Sequence, residues 1–453
     1  MRVVSYQKIG GNGVKNWKFL LAVLILPALL VLPVQAAEVV VSENYVIGFY
    51  PTKPVALPAP NATYVGSDAC KTCHSKIYED FKTSGHPYKI MTPSEARALR
   101  PNLPLPEGYA WDDITYVIGS WGWKARFMGK DGYIITKVGA NRDKNGSNQY
   151  NLETGKWSDY SPGAKKVYDC TGCHNTGSKY GNKTQGNLPG IKGTWEFNGV
   201  ECEACHGPGS EHVAKGGGKG VAINRDDSAL LCGNCHRRGT DDTKIPASGG
   251  FIQHHEQYLE FLASPHKNLK CVACHDPHKG TFKGATNPKG AENGIKAGCE
   301  TCHSGVKADF TGSKMQKVGV KCVDCHMPEA TKSAVGDIKK FDGDVRTHLF
   351  KINKDAKATL TYKDEKGAEY ASGYITLDFA CLKCHGDKDK AWAAQYAAGV
   401  HKLGVVVETP KPTTPAPTTP APTPAPKGIC GPSAILAMAV LPVAIYGVVR
   451  RRK

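Results

Sequence analysis

Residues 271–326 read CVACHDPHKGTFKGATNPKGAENGIKAGCETCHSGVKADFTGSKMQKVGVKCVDCH. CxxCH occurs three times in this stretch, at Cys271/Cys274/His275, Cys299/Cys302/His303 and Cys322/Cys325/His326. Working outward, five more copies appear: Cys70/Cys73/His74, Cys170/Cys173/His174, Cys202/Cys205/His206, Cys232/Cys235/His236 and Cys381/Cys384/His385. The eight copies use 16 of the 17 Cys and leave Cys430 over. With 16 His in 453 residues, a given position is His about one time in 28, so eight successes in eight are not chance. Two thiols three positions apart on one helical turn can each add to a vinyl group of one haem. The adjacent His then sits under the ring and ligates the iron, which makes CxxCH the attachment signature of c-type haem. Zinc would not require His after every second Cys. The motifs therefore predict eight covalently attached haem c, held by those 16 cysteines and by His74, His174, His206, His236, His275, His303, His326 and His385.

Composition agrees with that reading. Aromatic residues are only 8% and hydrophobic residues 40%, a thin supply for a side-chain core at this length. Gly (50) and Pro (29) argue against long helices and wide sheets. From Cys70 to His401 the chain has about 41 residues per haem, so apolar macrocycles take over as core material. The expected fold is mostly short α-helices and coil wrapped around eight stacked c-type haems. Lys and Arg outnumber Asp and Glu by 58 − 41 = 17. The haem propionates answer that excess, so it does not call for nucleic acid.

Eight further histidines remain: His86, His212, His254, His255, His266, His278, His348 and His401. They match the eight distal positions of all-bis-His haems, which would make every iron low-spin. Phe81, Phe261 and Tyr396 stand five residues before His86, His266 and His401, a repeat suited to packing on a haem edge. His212 and His278 follow a Pro after their motifs and are expected to reach a neighbouring haem. His254 and His255 are adjacent; on extended backbone they would point to opposite faces and serve two haems. If one does not ligate, one iron stays open to substrate.

The ends carry targeting features. Arg2, Lys8, Lys15 and Lys18, the apolar run Phe19–Val34 and Val34-Gln35-Ala36 form a secretory signal peptide over 1–36. A segment 37–64 follows, then a first-haem region 65–164 and a multihaem domain 165–404 holding motifs two to eight. Residues 405–428 are a Thr/Pro-rich linker and 429–453 an anchor segment. Cys430-Gly431-Pro432, the apolar run 433–449 and the basic end Arg450–Lys453 resemble an archaeal C-terminal sorting signal. That resemblance implies a cell-surface protein tethered by its C-terminus. Residues 113–138, DITYVIGSWGWKARFMGKDGYIITKV, are rich in β-branched and aromatic residues broken by Gly turns. They read as a small antiparallel β insertion between haems one and two, with a structural role preferred over gating or docking.

The segments CHSKIYEDFKTSGH (73–86), GVECEACHGPGSEH (199–212), SPHKNLKCVACHDPH (264–278) and CVDCHMP (322–328) carry a wider resemblance. The chain from Cys70 to His401 is similar to octahaem c-type cytochromes related to tetrathionate- and hydroxylamine-type redox proteins. Several of these are reductases with one catalytic haem, which carries an open face or a Lys in place of the proximal His. No CxxCK occurs here, and no catalytic residue is marked by motif. Other relatives by composition are cell-surface cytochromes that polymerise into filaments. Two functions follow as expectations. One is a cell-surface conduit, with a filament subunit as its variant, passing electrons to a redox protein or external acceptor. The other is an extracytoplasmic oxidoreductase of nitrite, hydroxylamine, tetrathionate or similar oxyanions.

Overall fold

Each attachment motif winds little more than one helical turn. In the computed structural model, which describes residues 61–401, the amides of His174, His236, His275, His303 and His385 donate to the carbonyl of the first motif cysteine at 2.9–3.1 Å. That i to i−4 bond places both cysteines on one side of the turn. The longest helix, α1 (Ser67–Phe81), carries the first motif and departs from helical geometry at His74 (φ −117°, ψ 40°). Cys202–His206 and Cys322–His326 are single α-helical turns, Cys271–Ala273 and Cys299–Thr301 are 3₁₀ turns, and Asp378–Leu382 is a π-helical turn. Between them the chain is mostly coil.

Two five-stranded sheets flank this coil. The first is an antiparallel meander of β1 (Ile90–Met91), β2 (Tyr116–Gly119), β3 (Lys124–Met128), β4 (Gln149–Asn151) and β5 (Lys156–Ser158). It reaches beyond the 113–138 run at both ends, because Ile90 pairs with Ile118 and Ala125 with Tyr150. Its inner face buries Met91, Val117, Ala125 and Phe127, with Ala96 of α2 (Pro93–Leu99). Thr92 caps α2 in a capping box with Glu95. The second sheet has the order β8-β7-β6-β10-β9, formed by β6 (Ile245–Ser248), β7 (Phe251–Gln253), β8 (Thr331–Lys332), β9 (Thr361–Lys363) and β10 (Glu369–Ala371). Only β7 and β8 are parallel. Its core includes Ile245, Ile252, Leu259 of α3 (Gln257–Ala263), Leu349 and Ile375.

The sheets account for most of the side-chain core. Among the described residues, no buried hydrophobic side chain lies in 196–244 or 262–329, although five motifs do. The regions are pinned by polar contacts instead. Glu203, 2% exposed, accepts the amides of Val65 (2.9 Å), Gly66 (2.8 Å) and Gly209 (2.7 Å), tying the chain before motif one to motif three. Gly199 lies so close to Pro87 that a Cβ would meet its carbonyl oxygen at 2.2 Å. That approach sets Val200 N on the His86 carbonyl at 3.0 Å. No helix among the described residues is long and apolar enough to cross a membrane. The apolar runs at 19–34 and 433–449, the Thr/Pro tract and Cys430 lie outside the described residues.

Candidate functional site

We number the motifs one to eight in chain order. Six motif histidines stand opposite a second imidazole from elsewhere in the chain. The ring centroids are 6.4 Å apart for His74 and His212, 6.2 Å for His206 and His278, and 6.2 Å for His236 and His86. They are 6.1 Å apart for His275 and His348, 5.9 Å for His303 and His266, and 5.8 Å for His326 and His401. A metal–imidazole bond of about 2.0 Å, with the ring centre roughly 1 Å beyond the nitrogen, puts two trans imidazoles roughly 6 Å apart. His212 and His278 thus sit by motifs one and three, not by the motifs that precede them in sequence.

The hydrogen bonds leave the ligating nitrogens free. His206 Nδ1 lies 2.8 Å from Asn224 O, His212 Nδ1 2.7 Å from Val221 O, and His326 Nδ1 2.8 Å from Phe350 O. A carbonyl only accepts, so Nδ1 carries the proton and Nε2 keeps its lone pair. Burial holds His86, His174 and His348 down to about 3, so these rings are neutral as a metal requires.

Two further observations fit haem. None of the 16 motif cysteines is paired in a disulfide, which leaves each of them available for attachment. Exposed apolar side chains also collect beside the motifs and their facing histidines: Ile77, Val213, Leu269, Ile295, Val306, Val318 and Tyr396 are 37–80% exposed. Each lies within five residues of such a histidine or motif, where a haem face would cover it.

Cys73 differs from its motif partner. It is exposed, whereas Cys70 of the same motif is half-buried. The reason is local: α1 is exposed throughout 71–77 and buries only Phe81, so no polypeptide closes over this thiol. Cys205, Cys274, Cys302, Cys322 and Cys384 are exposed as well. These thiols accordingly face the side of their turns that other parts of the chain leave uncovered, and the haem-attachment reading of Cys73 rests on its place in the motif, not on burial.

Cysteine contacts between motifs give their order in space. Cys70 lies beside Cys202, Cys232 beside Cys271 and Cys235 beside Cys173, and these neighbours are the largest influence on the first-named thiols. Cys232 also feels Cys205. Burial raises Cys274, Cys299 and Cys325, and after burial each feels a neighbour: Cys302, Cys322 and Cys381 respectively. The motifs therefore run one, three, four, five, six, seven, eight, and motif two branches from four.

Motif two is surrounded differently. His174 has no imidazole opposite it at that spacing among the described residues. After burial, its charge environment is Lys89, Arg238, Arg126 and Lys124. Lys124 and Arg126 come from alternate positions of β3, so the first sheet supplies one wall of the site. Lys124 donates to Ser333 O, and burial pulls its ammonium down to about 7. Arg126 donates to Gln149 Oε1 at 2.8 Å and lies 3.3 Å over the Tyr160 ring. Arg238 Nη2 reaches Cys170 Sγ at 3.9 Å.

His254 and His255 belong to this neighbourhood. Their rings are 3.6 Å apart, and burial, followed by Arg238 and His174, depresses His255 to about 2. The extended backbone on which opposite faces depended ends at Gln253: the chain turns at 254–255 after β7, which brings both rings to one side. The eight-for-eight match of histidines becomes six facing pairs. Sequence reading passed over Lys89, Lys124, Arg126 and Arg238. Only Lys124-Ala-Arg126 carried a signal, two cations on one strand face.

Comparisons with known proteins agree on the class. Residues 140–207 match the model of the family described as cytochrome c554 and c-prime. The multiheme cytochrome MtrA of Shewanella baltica is 27% identical over 187 residues, covering 38% of this chain and 48% of MtrA. The dissimilatory sulfite reductase MccA of Wolinella succinogenes is 24% identical over 463 residues, covering 74% of this chain and 63% of MccA. The chain thus matches about half of one curated relative and under two thirds of the other. The solved octaheme sulfite reductase MccA superposes with a TM-score of 0.54 at 19% identity, covering 74% of this chain and 67% of that one. By motif, by imidazole spacing and by relatives, the chain is similar to multihaem c-type cytochromes.

Proposed function

We propose that the chain is an extracytoplasmic octahaem electron carrier, held at the cell surface by its C-terminal segment, that passes electrons to a redox partner or external acceptor. The observation that carries this reading is the set of six imidazole pairs at 5.8–6.4 Å on motifs lying side by side in one row. The haems supply one-electron chemistry when bound. The protein's own part is spacing and orientation. Backbone carbonyls fix the tautomers of His206, His212 and His326, and the paired imidazoles would hold a haem iron between them, which would favour low-potential, substrate-inert iron. Assembly into a filament is a variant of this reading, for which the row of motifs supplies the continuity. Intact mass tests it: the processed chain plus eight haems is expected, with six haems low-spin. Fewer than eight haems after full maturation overturns it. Deleting Cys430–Lys453 should release a haem-loaded protein to the medium.

A second reading is favoured by one site. Lys89, Lys124, Arg126, Arg238 and two neutral imidazoles gather at motif two, where no histidine pairs with His174, and such a cationic setting attracts a small oxyanion. The sulfite reductase named among the relatives agrees with a sulfur or nitrogen oxyanion as substrate. Reduced protein mixed with sulfite or nitrite should then be reoxidised, and Lys124→Met with Arg126→Met should slow that step at least tenfold. No reoxidation by either anion removes this reading and leaves the carrier intact.

A further inference from the structure

The histidine inventory closes before motif eight is served. Of the 16 His in the sequence, eight are in motifs, six stand opposite a motif histidine, and two lie together at motif two. None occurs in residues 1–60 or 402–453. His385 stands at one end of the row. Its amide donates to Cys381 O at 3.0 Å, so the motif turn is formed. Its ring neighbour is not an imidazole but Trp392 of α4 (Lys390–Tyr396), centroid to centroid 5.0 Å and tilted 47°. An indole cannot ligate iron, and 5.0 Å is shorter than the spacing of the six pairs. Around this turn pack the apolar side chains Leu377, Leu382 and Ala393, while Cys384 is exposed.

We propose that the haem on Cys381 and Cys384 has His385 as its one protein ligand and keeps an open sixth position that takes a small donor ligand from outside the chain. This rests on the octahaem reading above but departs from an all-bis-His carrier. It also separates motif eight from motif two, where cations and two further histidines gather. The row of paired centres therefore ends on a centre that an external ligand can touch directly, at the end of the chain nearest the Thr/Pro tract in sequence.

The test counts spin states in the purified full-length protein, with imidazole as the probe. Intact mass first confirms eight haems. Magnetic circular dichroism or EPR of the oxidised protein should then show high-spin iron that turns low-spin as imidazole is added. Replacing Cys381→Ser and Cys384→Ser should remove one haem by mass and lower the imidazole-binding count by one. Replacing Cys170→Ser and Cys173→Ser should remove one haem and leave imidazole binding at motif eight in place. If native protein with eight haems is entirely low-spin, the proposal is overturned whether or not either variant folds. It is likewise overturned if removing the motif-two haem abolishes all imidazole binding. A mass short of eight haems instead overturns the underlying octahaem reading.

Discussion

The meander at 90–158 and the stretch at 262–329 are built on different materials. The meander encloses its own apolar cluster, with Val117, Ala125 and Phe127 fully buried. The second stretch carries three motifs and buries no hydrophobic side chain, leaving Leu269, Ile295, Val306 and Val318 at 37–80% exposure. Conventional side-chain packing explains the first region. In the second, covalently held haem supplies the apolar surface that side chains do not. Around these motifs the polypeptide buries little that is apolar beyond Pro328, which leaves the cofactor to serve as core.

The largest effect should come from removing that cofactor from the second region. Replacing Cys271 and Cys274 by Ala is expected to abolish amide-exchange protection across 262–329. The loss should exceed about 5 kcal/mol, the upper end for a single core truncation, while the meander's amides stay protected. Equal loss of protection in both regions would break the comparison. Phe127→Ala should cost about 3–5 kcal/mol, read by thermal melting, with all haems retained by mass. Third comes Glu203→Gln, which weakens a buried acceptor of three amides and should cost about 1–3 kcal/mol. Here exchange should rise first at Val65, Gly66 and Gly209, sharpening the view that polar pins hold the haem-rich part together. Smallest is Thr92→Ala, which removes the cap of α2 and should cost about 1 kcal/mol in a denaturant melt, with no change in the haem spectrum.

The sequence disclosed what is local. CxxCH places two thiols and an imidazole within one turn, so attachment needs no knowledge of the rest of the chain. The β-rich run at 113–138 likewise announced strands through its alternation, though not that Ile90 and Tyr150 would extend the sheet. What stayed hidden is non-local. Nothing near His74 names His212, and nothing near Lys89 or Arg238 says they meet at His174. Those encounters are set by how coil winds around cofactor, for which side-chain periodicity holds no record. Nor does the motif say which of its thiols the chain will cover, as the exposed Cys73 beside the half-buried Cys70 shows. The His254–His255 pair misled for a related reason: alternation holds for a strand, and β7 ends at Gln253.

The spans between paired histidines also bear on how the molecule is made. His266 and His303 are 37 positions apart, whereas His74 and His212 are 138 apart. Closing the longer loop costs about 1.2 kcal/mol more in chain entropy by the logarithmic rule, a minor penalty. The timing is the greater matter. On the octahaem reading, a chain emerging from its N-terminus presents motif one long before His212, and motif four meets the already emerged His86 at once. Motif one therefore spends an interval with a single axial imidazole while motif four completes its pair immediately. The order of ligation then follows neither the order of the motifs in sequence nor their order in the row, and the first haem attached waits through the longest stretch of chain for its partner.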